Sequence, residues 1–440
     1  MNPFDIVERK LAGYPLARDN MLALMRKGRQ ACAGRDGRTK TEHIQESLAQ
    51  LWRRHPKKTK ILYLVHYPLP NIIRQSLALR QTGRYVTALI GVCNREELRL
   101  EQYFDAHFEC GSAWELARIL PTLRADVIQA VNGPSVIPCL AVLFSEVPVV
   151  TEVYDSIVFY WDDIEARPEY QMERFSLEHS QGVLHKYPRE GHVLLQNHYT
   201  LDVPLLQFHA YVVDEFTPNE VQNGSRNDVP KVVYTGGVMP PERAHELGHT
   251  NHIFFDIIRQ ITNQGIRLTI YANQNAKNMR WHRQKPYFDI QSKSPLFEFR
   301  SGIPIDRVAF FGRYHDFGLF YDNLTLHRFS SKHFRFMTAT KFFSYLEMGL
   351  PVLVYPESEF LSMLVEKHGI GIKYDAREPV DLKRTLLECD YDTLRKNVAT
   401  LRNVANIKNY VSTLQRFHTC VLKSEKQPPS FDRFFPLENE

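Results

Sequence analysis

Cysteine is scarce in this 440-residue sequence, and its six copies stand far apart. Cys32, Cys93, Cys110, Cys139, Cys389 and Cys420 make no C-x-x-C pair, so neither a structural zinc site nor a disulfide framework can be read from them. No run approaches the ~20 apolar residues of a membrane span. The opening MNPFDIVERK is charged and lacks an apolar centre, so it does not read as a signal peptide. Neither sign of charge dominates: 55 basic against 50 acidic residues leave +5, too little to argue for a nucleic-acid partner. No internal repeat relates the two halves. What is present is an ordinary globular composition, 43% hydrophobic and 24% charged. At this length the expectation is two domains in a soluble, cytoplasmic protein.

Residues 1–58 read as a helical, basic N-terminal extension. Val7, Leu11, Leu22, Leu24 and Met25 give patchy amphipathicity, and Ile44–Trp52 resumes it after the break at Ala33–Thr39. Cations gather at Arg26, Lys27, Arg29, Arg53, Arg54, Lys57, Lys58 and Lys60. The plain reading is a solvated face. The sharper one is a patch within 1–60 that meets a membrane surface or a polyanion.

From Lys60 the texture changes. Ile61–His66, Val86–Val92, Ala106–Glu109, Val127–Ala130 and Val149–Glu152 read as buried strands, separated by helical stretches. Such alternation predicts a doubly wound parallel sheet over 59–212. Residues 213–230 are rich in turn formers and read as a linker. The pattern restarts over 231–405 with strands at Lys231–Tyr234, Ile266–Tyr271 and Asp316–Phe320, and with Asn273–Pro295 irregular and basic. A long helix over Asp390–Leu422 closes the chain, and 406–440 is expected to cross back to the first domain. The fold class is therefore α/β: two doubly wound, Rossmann-like domains facing across a cleft, plus the helical extension.

The stretch 338–356, TATKFFSYLEMGLPVLVYP, is the most informative. It reads as a helix ending at Gly349, a turn at Pro351 and a buried strand. Thr338 and Thr340 are its plausible N-caps. Lys341 in the first turn opposes the helix dipole. It makes sense if an anion docks at that helix end.

Two such domains, a polar linker and a long terminal helix resemble the GT-B glycosyltransferases that use nucleotide sugars. Lys341–Pro351 resembles their K-x-x-E-Y-x-x-x-G-x-P signature, and Asp316–Leu319 the D-x-G-L strand end before it. Val153–Asp155, Ser176–Lys186 and Val212–Pro218 resemble further family stretches. The resemblance covers roughly 60–420. It implies that Gly236, Gly237, Arg243, Thr340, Lys341, Ser344 and Glu347 bind the donor. This sequence departs from the pattern in places. Ser344 stands where the family's ribose-binding glutamate stands, Phe336 where its partner glutamate stands, and Gly237 where an arginine meets the diphosphate. Glu347 reads either as an exposed helix residue or as the substitute ribose ligand.

In the first domain, His66 and Asp155 follow buried strands and are the candidate general bases for an acceptor hydroxyl. A packed histidine and an Asx-type cap are their plain alternatives. Asn132, Tyr154 and Tyr160 are the candidate acceptor contacts. Asp162-Asp163 lacks the D-x-D spacing and is rejected as a metal motif. No metal and no cofactor are expected. The expected partners are a UDP- or GDP-sugar and a glycan or lipid-linked acceptor.

These readings predict a metal-independent, hexosyltransferase-like glycosyltransferase of bacterial surface polysaccharide biosynthesis, cytoplasmic or peripheral on the inner face of the membrane. A catalytically silent GT-B scaffold is the alternative, and a sugar-nucleotide 2-epimerase a minor one.

Overall fold

The computed structural model describes residues 2–32, 37–93, 98–218, 228–247, 250–272, 284–323, 329–378, 380–425, 428 and 430–439. The chain forms two compact units, one of Met1–Ala210 with Tyr410–Glu440, the other of Tyr211–Asn409.

The first unit holds a seven-stranded parallel sheet ordered β3-β2-β1-β4-β5-β6-β7. Its strands are β1 (Thr59–Val65), β2 (Tyr85–Gly91), β3 (Ala106–Glu109), β4 (Val127–Val131), β5 (Val149–Val153), β6 (Gly182–His185) and β7 (Leu205–Gln207). Ile61–Val65 and Val86–Ile90 are buried throughout. That burial is why they read as continuous apolar runs: a parallel sheet covered on both faces offers no polar side. The order reverses between β1 and β4, and at such a switch point the strand ends leave room for a ligand.

Residues 1–58, read from sequence as a helical N-terminal extension, pack into the first unit. Their helices include Pro3–Lys10 and Pro15–Ala31. Val7, Leu11, Met21, Met25, Ile44, Leu48 and Trp52 are buried in one cluster with Leu62, Ile128, Leu140 and Met172. Lys10 Nζ donates to the Leu143 carbonyl at 2.6 Å, and Tyr14 Oη to Glu178 at 3.0 Å. The extension covers the first unit's core, at about 1.5–3 kcal/mol for each fully buried aliphatic side chain. Two of the cations of this stretch have partners within the unit. Lys60 meets Asp126 at 3.5 Å, and Arg29 lies over the Phe4 and Trp114 rings.

Two polar residues interrupt the apolar strands. Glu152 of β5 and Gln129 of β4 are buried. Glu152 accepts from Asn71, from Gln75 Nε2 at 3.0 Å and from Gln129 Nε2 at 2.5 Å. Gln129 Oε1 lies 3.2 Å from His418 Nε2, on the helix Val411–Leu422. Burial pushes the Glu152 carboxyl up, and the amide donors oppose that shift.

The second unit holds a six-stranded parallel sheet ordered β10-β9-β8-β11-β12-β13. These strands are β8 (Lys231–Gly236), β9 (Arg267–Ala272), β10 (Phe297–Ser301), β11 (Phe317–Phe320), β12 (Val352–Val354) and β13 (Gly371–Lys373). Its order reverses between β8 and β11. Half of the expected linker, 219–227, lies outside the described residues. Of Asn273–Pro295, residues 273–283 also lie outside them, and Lys285–Gln291 is a helix rather than irregular chain. The long terminal helix is in fact two, Tyr391–Val404 and Val411–Leu422. Between them Val212 and Asn406 form a parallel bridge, and Asp214 accepts from Asn406 and Lys408. The break leaves Ala405–Tyr410 free to bond that segment instead of extending a helix.

Candidate functional site

The carboxyl edge of the second sheet gathers most of the donor-side candidates. The helix Thr340–Met348 packs across β11, and Gly318 permits it: a Cβ there would lie 2.4 Å from the Tyr345 ring. So close, Tyr345 Oη donates to the Leu319 carbonyl at 2.6 Å and accepts from the Thr235 N–H at 3.2 Å. One hydroxyl thus ties the ends of β8 and β11 together at the switch point. The glycine of the D-x-G-L stretch is explained by this approach. The helix ends at Gly349 with φ +73°, as its sequence predicts.

Lys341 reaches the same place. Its Nζ lies 4.7 Å from the centroids of both Tyr234, on β8, and Phe320, on β11. It donates to Tyr234 Oη at 3.2 Å, and Tyr234 Oη donates to the Gly237 carbonyl at 3.0 Å. Gly236 has φ +145°, and a Cβ there would meet Tyr234 Oη at 3.0 Å. A side chain at this position would therefore displace the hydroxyl that holds Lys341. The helix N-cap is Ala339, without a side-chain capping bond, so neither Thr338 nor Thr340 caps it. Thr340, its first residue, is almost fully buried. An ammonium, a glycine strand end and a helix N-terminus lacking a side-chain cap meet at one switch point. That chemistry suits an anion.

Three polar groups here escaped the sequence reading. His252 Nδ1 lies 3.0 Å from the Gly237 carbonyl, and the His252 carbonyl accepts from the Met239 N–H at 2.9 Å, fixing the turn after β8. Tyr287 Oη donates to the Met239 carbonyl at 2.8 Å. Asp322, buried just after β11, accepts from Tyr355 Oη at 3.3 Å. Burial, with Asp322 nearby, drives the Tyr234 and Tyr355 hydroxyls well above their ordinary range. Only the position of Asp322 at a strand end hinted at it.

Two donor-side candidates are placed otherwise than expected. Glu347 is 0% exposed, and its Oε1 accepts from the Val213 N–H at 3.2 Å. It is neither a solvated helix residue nor turned outward to a ribose. The Val213 N–H meets it within the second unit. Ser344 is also 0% exposed, because eight of the helix's nine residues are buried. The Arg243 side chain lies outside the described residues.

The carboxyl edge of the first sheet carries the other candidates. His66 follows β1 and is half-buried, its ring 5.8 Å from Tyr67. Burial lowers its pKa below the usual 6.5. Asp155 follows β5, and Lys186, just past β6, donates to it at 3.0 Å. The Lys186 ammonium also lies 4.0 Å from the Tyr154 ring centroid. Half-buried Tyr160 bonds the same carboxylate through its hydroxyl. The structure therefore brings Tyr154, Asp155 and Tyr160 together around Lys186, a residue the sequence reading did not single out. Asn132 departs from its expected acceptor role. Its Oδ1 accepts from the Tyr154 and Asp155 N–H groups at 2.7 and 3.2 Å. Its Nδ2 donates to the Asp155 carbonyl at 3.2 Å and to Glu173 at 2.8 Å. An amide with both ends engaged in the protein is a bracket for the loop. The nearby His179 and His185 have structural partners, the Phe175 carbonyl and His192.

No known family profile matches the chain, and no curated protein matches it. Solved structures do. A glycosyltransferase from Rickettsia africae ESF-5 aligns at 14% identity over 83% of this chain and 99% of that one, with TM-score 0.52. Staphylococcus aureus MnaA, in a co-structure with UDP, aligns at 14% over 84% and 99%, with TM-score 0.53. An E. coli trehalose-6-phosphate structure bound with UDP-2-fluoro glucose aligns at 11% over 81% and 99%, with TM-score 0.50. Together with the two all-parallel sheets, these similarities show the GT-B fold.

Proposed function

We propose that this GT-B chain is a glycosyltransferase that moves a sugar, hexose by preference, from a UDP- or GDP-linked donor to a glycan or lipid-linked acceptor. Bacterial surface polysaccharide assembly, on the cytoplasmic side, is the proposed setting. The observation that carries the reading is Lys341, held between Tyr234 and Phe320 at the β8/β11 switch point. A transferase must stabilise a nucleoside diphosphate as it leaves. A fixed ammonium beside a helix N-terminus supplies positive charge where that charge develops. Two of the similar structures hold UDP or a UDP-sugar, which supports a uridine donor. His66 is the proposed base for the acceptor hydroxyl: burial favours its neutral form, and its ring has no hydrogen-bond partner among the described residues. Asp155 is proposed to orient the acceptor instead, since Lys186 and Tyr160 already engage its carboxylate. The transfer is proposed to need no metal.

The test is turnover of a panel of UDP-, GDP- and CMP-sugars with and without EDTA, comparing the wild-type chain with Lys341→Ala. Turnover that survives EDTA and falls ten- to hundredfold in the variant, the worth of one charge-assisted contact, supports the reading. If no sugar nucleotide is consumed or raises the melting temperature, the reading fails. The burial of Ser344 and the inward turn of Glu347 favour one second reading, a catalytically silent scaffold. Nucleotide binding without turnover would select it, and an epimerised UDP-sugar product would select an epimerase.

A further inference from the structure

We propose that Glu173 is a positioning residue, a buried carboxylate clamp that sets the backbone carrying Tyr154 and Asp155 at the carboxyl edge of the first sheet. Its consequence for turnover rests on the transferase reading; the clamp itself does not.

Glu173 lies on the helix Pro168–His179 and is 0% exposed. It accepts from Asn132 Nδ2 at 2.8 Å, Ser156 Oγ at 2.5 Å, the Ile157 N–H at 3.1 Å and Tyr199 Oη at 2.6 Å. These groups come from the segments after β4, after β5 and after the helix Arg189–His198. Every partner is a donor. An ionised carboxylate has lone pairs for all of them, whereas a protonated one turns part of itself into a further donor. Asn132 relays the constraint, because the bond from its Nδ2 to Glu173 aims its Oδ1 at the Tyr154 and Asp155 N–H groups.

The neighbouring titratable groups are Tyr199, Tyr170 and Tyr187, whose oxygen accepts from the Ser156 N–H. One residue further lie Asp155, Lys186 and Tyr160. Among the described residues no cation pairs with Glu173. Burial pushes its carboxyl up to about 6, against the opposing pull of its donors. Protonation just below neutral pH then removes acceptors from the clamp.

Trp161 ends the turn Ile157–Tyr160 that Glu173 anchors, and reports on it. Intrinsic fluorescence of the full chain is followed from pH 7.5 to 5. A transition centred near pH 6, absent from Glu173→Gln and from a Trp161→Phe control, is expected. The same transition in Glu173→Gln, or none in the wild type, overturns the proposal. In a second arm, hydrolysis of UDP-glucose, UDP-N-acetylglucosamine and GDP-mannose is measured over the same range. On the acid side, log(kcat/KM) should fall more steeply in the wild type, where Glu173 and His66 both take up a proton, than in Glu173→Gln, where His66 alone does. Equal slopes overturn the link to turnover, since a merely structural role lowers activity without changing the profile. If the wild type consumes none of these sugars, the transferase reading falls and the fluorescence arm alone decides the clamp.

Discussion

His185 Nε2 stands 2.9 Å from His192 Nδ1, and both rings are buried in the first unit. The Tyr187 N–H donates to His185 Nδ1, so His185 carries its proton on Nε2 and passes a hydrogen bond to His192. His192 Nε2 then lies 3.6 Å from Asp432. The chain of bonds runs one way and requires both imidazoles to be neutral.

That direction sets a pH dependence. Burial lowers the pKa of His185 and His192, and brings His209 and His418 to about 3 and His315 to about 4. The unfolded chain takes up these protons first, so stability falls as pH drops below the unfolded value of about 6.5. The slope is at most roughly 1.4 kcal/mol per pH unit for each histidine. Glu173, between about 6 and 4.5, and Glu152, through its raised value, act in the opposite sense and offset part of the loss. Urea midpoints should therefore fall from pH 7 to pH 5, and His192→Gln should flatten the slope. A midpoint that rises over that interval contradicts the assignment.

Tyr345 joins β8 to β11 through one hydroxyl, and the two halves of that contact are separable. Tyr345→Phe leaves the Thr235 N–H without its partner, at about 1–3 kcal/mol. Gly318→Ala drives a methyl into the ring and should cost more, with loss of soluble protein as its extreme. Thermal melts of the two variants give the order, and an innocuous Gly318→Ala would mean that the helix Thr340–Met348 is not held so tightly against β11.

Glu152 gathers three amide donors in the core. Glu152→Leu strands all three and should lower stability by about 3–5 kcal/mol. Glu152→Gln keeps one acceptor and should cost less. Burial raises this carboxyl's pKa, so keeping it ionised costs stability at neutral pH, and the wild type should recover part of that cost as pH falls through the raised value. Denaturant titration of both variants at pH 7.5 checks the order.

Contact of residues 1–60 with a membrane is testable, though not by deleting them. Removing 1–58 uncovers Leu62, Ile128 and Leu140 and should give insoluble protein. The useful variant reverses Arg53, Arg54, Lys57 and Lys58 to glutamate. Each lost cation near an anionic surface is worth about 1 kcal/mol, so sedimentation with phosphatidylglycerol vesicles should fall by orders of magnitude. Unchanged sedimentation with the fold intact removes the idea.

The strands were legible because a parallel sheet covered on both faces leaves apolar runs such as Ile61–Val65 in the sequence. Gly349 and Pro351 marked the end of the helix before β12 for equally local reasons. The role of 1–58 was hidden, since an amphipathic helix looks alike whether it covers a core or stands alone. The break at Ala405–Tyr410 has no glycine or proline to announce it; its cause is the distant Val212. In the candidate site, Lys341 was found because a cation in a first helical turn is locally odd. Glu173, Asp322 and His252 were not, because burial of a polar group and the identity of its partners are tertiary facts. Glu347 misled for the same reason.

Gln129 and His418 are 289 residues apart in sequence, yet bonded in one core. On a ribosome adding about 5–20 residues per second, the helix that bears His418 emerges on the order of 15–60 s after the strand it covers. All of Tyr211–Asn409 is synthesised in that interval. The second unit can thus be complete while Gln129 still waits for His418. Vectorial synthesis here reverses the usual order of domain completion, because the helix that bonds Gln129 is made after the whole of the second unit.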